Sequence, residues 1–355
     1  MPQRATRRRR PRLLLVSMYP LDRGMWGATT RISQMRDALG ELSELEVIAA
    51  YRGRRSRLLA RYAASGRLRG LDGIYVESSS FLPAPADIAF LGLARALGVP
   101  SLTYLRDAQP LFAEYYRTDS PKRWLSRRLF LPAFRALMAV SSRVAFTSVG
   151  LAAAFGRGKD ALLLPPGSPM PVDVPRRSDA NRLLFVGGMR YPVHGLSILV
   201  EGVERARAAG HDVEVVSVSR PGEEPPDPLP PWLHVERGSG AEIHALLPNV
   251  IASITPRLRS PYNDLAVPIK VMEYLSYGRP LLVTDCLEQA RIVEETGSGL
   301  VVPDSAEGIA SGIEQLFNAT AARLDELSEA ARRAAVANSW HARARQVLSM
   351  LSLDA

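Results

Sequence analysis

The chain has 355 residues, 46% of them hydrophobic and 23% charged, and a formal net charge of +9. One packed core rarely grows beyond about 250–300 residues, so two domains are expected. A single cysteine, Cys286, excludes an internal disulfide framework and a zinc site built on several cysteines, and fits a reducing, cytoplasmic setting.

Residues 1–11 read as a basic tail. The apolar run LLLV that follows is too short for a signal peptide, and no later stretch reaches the ~18 apolar residues of a membrane helix. RLLLVSMYP reads as a strand. The loop after it holds Gly24 and Gly27, which let backbone approach a ligand. TTRISQMRDALGEL reads as a helix with Ile32, Met35 and Leu39 on one face, and Thr29 or Thr30 suits its cap. Strands LEVIAA and GIYVES, helix IAFLGLARALG and strand VPSLTYLRD follow; the last ends in Arg106 and Asp107. SSRVAFTS and ALLLPPG close the first half. Strand–helix–strand alternation of this kind calls for a parallel sheet covered by helices.

Residues 165–180, PPGSPMPVDVPRRSDA, have linker composition. The alternation then restarts with NRLLFVGG and runs through LSILVEGVERARAAG, HDVEVVSVS, LHVERG, AEIHALLP, VIASITP, PIKVMEYLSYG, RPLLVTD and GLVVP, with helices from about Ala306 to the end. The expected organisation is a tail over 1–11, a Rossmann-like domain over 12–172, a linker over 173–180, a second Rossmann-like domain over 181–337 and a C-terminal helix over 338–355. Doubly wound sheets bind ligands beyond the carboxyl ends of their strands, so the site is expected there.

Charge divides along the same line. Up to Val172 there are 27 basic and 12 acidic residues, and beyond it 18 and 24. The segments YRGRRSRLLARYAASGRLRG and KRWLSRRLFLPAFR concentrate the excess. A basic half suits an anionic membrane surface, at the inner face of a cell membrane, better than nucleic acid; a solvated, arginine-biased surface with no specific partner is the competing reading.

The most informative segment is SPYNDLAVPIKVMEYLSYGRPLLVTD, residues 260–285. Pro268 suits the first position of a helix and Gly278 its stop. Lys270 and Glu273, three apart, share one face near the helix N-terminus, which favours anions. The arrangement suits a nucleoside diphosphate, with the ammonium at the phosphates and the carboxylate at the ribose hydroxyls. A plain surface ion pair is the competing reading.

This segment, together with RIVEETGSGLVVPDSAEGIASGI, resembles the donor-binding half of the GT-B glycosyltransferases, in particular the large retaining group called family 4. The resemblance implies a two-domain α/β GT-B fold, with facing Rossmann-like domains and a last helix (NSWHARARQVL) returning to the first. It implies transfer of a sugar from a nucleotide-sugar to a membrane-linked or saccharide acceptor, with no metal or other cofactor, in cell-surface or exopolysaccharide and glycolipid synthesis. Glu273 is then the ribose ligand. Pro268, Gly188, Asn263 and Asp264 lie in donor-binding segments. Leu265 stands eight positions earlier than Glu273, where the family often has a second glutamate. The family's arginine and lysine for the diphosphate fall at Arg190 and His194, with Arg190 the better cation. Gly24 and Gly27 lie in the loop that touches acceptor and phosphates, and Arg106 and Asp107 stand near the place of a family histidine. Lys270, Arg190, Arg106 and Asp107 are the expected catalytic groups.

No HExxH, P-loop, GxSxG or Asp-x-Asp pattern points to other chemistry. A GT-B sugar-nucleotide epimerase and a non-catalytic scaffold of the same fold remain the alternatives.

Overall fold

The computed structural model describes residues 9–21, 27–188, 195–219 and 228–353. The chain divides into two compact units, one of Met1–Gly167 with Trp340–Ala355, the other of Ser168–Ser339.

In the first unit, strands β1 (Arg12–Ser17), β2 (Glu44–Ala49), β3 (Gly73–Glu77), β4 (Ser101–Leu105), β5 (Arg143–Phe146) and β6 (Leu162–Leu163) form one parallel sheet in the order β2-β1-β3-β4-β5-β6. β1 is an unbroken apolar run because helices cover both faces of such a sheet; Leu13, Leu14 and Leu15 are buried. The helices are α1 (Gly27–Leu42), α2 (Arg52–Ala64), α3 (Pro85–Ala96), α4 (Pro121–Val140) and α5 (Val149–Ala154). Because α1 already starts at Gly27, Thr29 and Thr30 lie inside it and do not precede it as caps, contrary to expectation.

The two basic segments fold as helices α2 and α4. α2 buries Arg55, Leu59 and Tyr62 at helical spacing. Arg55 is 2% exposed, and its guanidinium meets the Asp87 carboxylate of α3 through two bonds of 2.8 and 2.7 Å and donates to the Ala50 carbonyl at 2.9 Å. That pairing makes its burial tolerable. α4 is capped by Ser120, with Pro121 at its first turn, and buries Phe130, Phe134, Leu137 and Met138.

In the second unit, the strands are β7 (Arg182–Val186), β8 (Glu214–Ser219), β9 (Leu233–Arg237), β10 (Val250–Thr255), β11 (Leu281–Thr284) and β12 (Gly299–Val302), parallel in the order β12-β11-β10-β7-β8-β9. Between them run α6 (Leu196–Ala208), α7 (Ala241–Leu246), α8 (Ile269–Ser276), α9 (Leu287–Thr296) and α10 (Ala306–Phe317), followed by α11 (Ala321–Ala337). Apolar cores lie on both sides of the sheet, one centred on Leu199, Val203, Ile309 and Ile313, the other on Val271, Leu275, Ile292 and Ala331. The last helix, α12 (Trp340–Met350), belongs to the first unit and packs on α1. There the guanidinium of Arg31 stacks 3.8 Å from the Tyr104 ring and 5.7 Å from that of Trp340.

Candidate functional site

In the second sheet β7 and β10 are neighbours, yet the chain leaves β7 toward β8 and leaves β10 toward β11, on opposite sides. This is a topological switch point, and the crevice beyond it is where doubly wound sheets bind ligands. α6 starts beside it. Its N-cap is Gly195, at φ +73°, and a Cβ there would stand 1.5 Å from the carbonyl oxygen of Pro256, just past β10. α8 starts from the same edge. Two helix N-termini thus bring unpaired backbone amides and positive potential to this edge.

α8 begins one residue later than the sequence suggests. Pro268 is its N-cap, with an extended ψ of 125°, and not its first helical residue. Gly278 follows the last turn at φ +58°, the left-handed conformation that ends helices. Lys270 of the first turn has its Nζ 3.2 Å from Glu273 Oε2 of the second. Their side chains are 31% and 21% exposed, so both reach solvent from a partly buried footing. The opposite face buries Val271, Met272, Tyr274 and Leu275. Tyr274 accepts a 2.7 Å hydrogen bond from the Val186 amide. Burial holds its phenol well above the usual pKa, so it stays neutral. This bond fixes α8 to the end of β7, where Gly187 and Gly188 follow. Tyr274 escaped the sequence reading, because an apolar-face tyrosine gives no local sign of its partner.

The loop between β10 and α8 carries the other expected donor residues. Asn263, 1% exposed, turns inward: its amide donates to the Leu258 carbonyl at 2.7 Å and accepts from Arg257. Through these bonds it shapes its own loop. Asp264 pairs with Arg259 at 3.0 Å and accepts from the Leu287 amide at 3.3 Å. Leu265 is 8% exposed and packs as an apolar residue. Beneath the loop lies a polar network the sequence did not reveal. The fully buried Gln289 accepts from Thr255 Oγ1 at 2.9 Å and donates to the Thr284 carbonyl and hydroxyl at 2.9 and 2.8 Å. Replacing Gln289 with leucine keeps its bulk but strands these partners. Chemical denaturation should show a loss of about 1–3 kcal/mol.

Arg106 and Asp107 belong to the first unit, past the end of β4. Asp107 is buried, accepting from Ser80 Oγ at 2.7 Å and the Gln109 amide at 3.0 Å, while Arg106 lies 5.4 Å from the Tyr19 ring. With Tyr19 after β1 and Ser80 after β3, they gather at the first sheet's own switch point, between β1 and β3. Gly27 is the first residue of α1. Gly24, Arg190 and His194 lie outside the described residues. Among the described residues no cluster of three His, Cys, Asp or Glu side chains has the placement of a metal site, and no helix is long and apolar enough to cross a membrane.

Residues 180–319, most of the second unit, match the family described as "Glycosyl transferases group 1". Comparison with curated proteins finds no match. Among solved structures, sucrose-phosphate synthase from Thermosynechococcus elongatus is 15% identical over 97% of this chain and 98% of its own, with a TM-score of 0.66. Anabaena HepE in complex with UDP and glucose is 15% identical over 96% and 99%, with a TM-score of 0.65. The UDP-forming α,α-trehalose-phosphate synthase from Burkholderia xenovorans is 14% identical over 96% and 100%, with a TM-score of 0.63. At such identities the likeness shows the fold, and it extends over both units. Residues 180–319 are therefore a group 1 glycosyltransferase domain, on a chain whose architecture is GT-B.

Proposed function

We propose that the second unit binds a nucleoside diphosphate sugar at the start of α8 and that the enzyme transfers the sugar to an acceptor. The observation that carries this reading is the Lys270–Glu273 pair, spanning the first and second turns of a helix that opens beside the switch point. Transfer forms a bond from the acceptor oxygen to the anomeric carbon and breaks the bond from that carbon to the diphosphate. Positive charge grows on the sugar and negative charge on the leaving group. The α8 N-terminus and the Lys270 ammonium stabilise that negative charge, and Arg190 adds to it. Glu273 accepts hydrogen bonds from two ribose hydroxyls and so holds the nucleotide in register. The reaction proceeds with retention and without metal; the acceptor's proton passes to an oxygen of the departing diphosphate, so no protein base is needed. The acceptor is membrane-linked or a saccharide, and the product is a surface glycan or glycolipid made at the inner face of the membrane.

A thermal-shift screen of UDP, GDP, ADP and their sugar conjugates tests the site; UDP, present in the HepE complexes, comes first. At 100 times the dissociation constant, the matching nucleotide adds about 2.7 kcal/mol of stability to the wild type. Glu273→Ala should lose that increment. An equal response in the variant, or no response of the wild type to any of them, removes the reading.

A further inference from the structure

The two basic helices of the first unit share a surface. α2, α3 and α4 pack side by side, with α3 in the middle. Nine of their exposed side chains are arginine or lysine. The one acidic residue in the three helices, Asp87, is 3% exposed and tied to Arg55. Exposed acids are therefore absent from these helices; Asp119, just ahead of α4, is the nearest in sequence and pairs with Arg123 at 3.0 Å.

Within this cationic field α4 leaves large apolar side chains in solvent. Trp124 is 49% exposed, Leu125 50% and Leu129 45%, while Phe130, Phe134 and Leu137 on the other side are fully buried. Residues 124, 125, 128 and 129 fall on adjacent turns and make one stripe. Arg128 lies 4.5 Å from the Trp124 ring, in the middle of it. Leu93 of α3 adds a further apolar side chain, 41% exposed. Scattered exposed leucines are ordinary, but a tryptophan and two leucines on successive turns of a helix that has no acidic residue of its own, with Arg128 among them, form a patch with a purpose.

The combination selects the occupant. Nucleic acid would use the cations but gain nothing from Leu125 and Leu129. An anionic bilayer uses both: tryptophan and leucine enter the headgroup boundary, and long basic side chains reach lipid phosphates while their stems stay apolar. We propose that the α2–α3–α4 face docks on an anionic lipid bilayer, with Trp124, Leu125 and Leu129 inserted and the surrounding arginines on the headgroups. This specifies the membrane partner of the reading above and rests on it only there, because the face lies in the first unit and the nucleotide residues in the second.

The test is co-sedimentation of the full chain with vesicles of phosphatidylcholine alone or mixed with phosphatidylglycerol. The wild type should bind the mixed vesicles, release them as salt rises, and ignore the neutral ones. Neutralising Arg54, Arg57 and Arg128 together to glutamine should weaken binding on the order of a hundredfold. Replacing Trp124, Leu125 and Leu129 with serine should weaken it in a way that low salt does not restore. All six positions lie outside the nucleotide site, so both variants should keep the wild-type response to nucleotide, and wild-type circular dichroism and thermal midpoints report independently that they are folded. Vesicle binding that survives in both variants would assign it to the basic tail and overturn the proposal. So would equal binding to neutral vesicles, or retention of duplex DNA in preference to lipid. Failure of the nucleotide screen leaves the vesicle result standing, and the reverse also holds.

Discussion

Replacing Gly195 with alanine is expected to cost on the order of 5 kcal/mol and to abolish the nucleotide response. Two causes add. The residue sits at φ +73° and ψ 24°, a left-handed conformation that disfavours any side chain by about 1–2 kcal/mol. The larger cause is contact. The new Cβ would lie 1.5 Å from the Pro256 oxygen and 2.6 Å from its carbonyl carbon. Both are backbone atoms held by β10, so no rotamer relieves the overlap; the start of α6 must move away from the end of β10. That movement opens the switch point beside which α8 presents Lys270 and Glu273. Gly210 supplies the control: it too has positive φ, at +97°, but a Cβ there meets nothing within 4 Å. Gly210→Ala should therefore cost only about 1–2 kcal/mol and leave nucleotide binding intact. Guanidinium denaturation of the two variants makes the comparison. A loss at Gly195 no larger than at Gly210 would mean that the close approach of α6 to β10 does not hold in solution.

Much of the architecture was legible because it rests on local periodicity. RLLLVS and LLVT are buried strands whose apolar runs announce parallel sheet, and Gly278 ends α8 where a helix stop was read. Helices α2 and α4 were less visible. In both, arginines interrupt the apolar pattern, and Arg55 occupies a core position that only Asp87, 32 residues away, can neutralise. Pro132 inside α4 further disguises it. In the site, Lys270 and Glu273 could be paired from sequence because helical spacing fixes them. Asn263 could not be placed, since its inward turn depends on Arg257 and Leu258 in a loop with no period. Tyr274 and Gln289 were invisible for the same reason: each sits on a helix and is defined by a partner on a strand distant in sequence, Val186 for one and Thr255 for the other. Pro268 shows the finer limit. Its ring fits both the N-cap and the first helical position, and only the observed ψ decides between them.

Lys270→Ala should lower kcat by about 100- to 1000-fold, the usual loss when one preorganised group facing developing negative charge is removed. The alternative, that Lys270 merely pairs with Glu273 on the surface, makes a different prediction. A partly exposed pair at 3.2 Å is worth at most about 1 kcal/mol of stability and nothing in turnover. The two views therefore separate when folding and rate are measured on one preparation. In the catalytic view the thermal midpoint moves little while kcat collapses, because the ammonium matters most once the diphosphate takes on its leaving charge. The KM for the donor should rise less than kcat falls, since Glu273 and the helix N-terminus still hold the nucleotide. Lys270→Arg should recover part of the rate, because it restores the charge on a longer, planar group that fits the same edge imperfectly. Turnover by Lys270→Ala within threefold of wild type would leave the pair as surface chemistry and move the diphosphate's cation elsewhere, to Arg190 first.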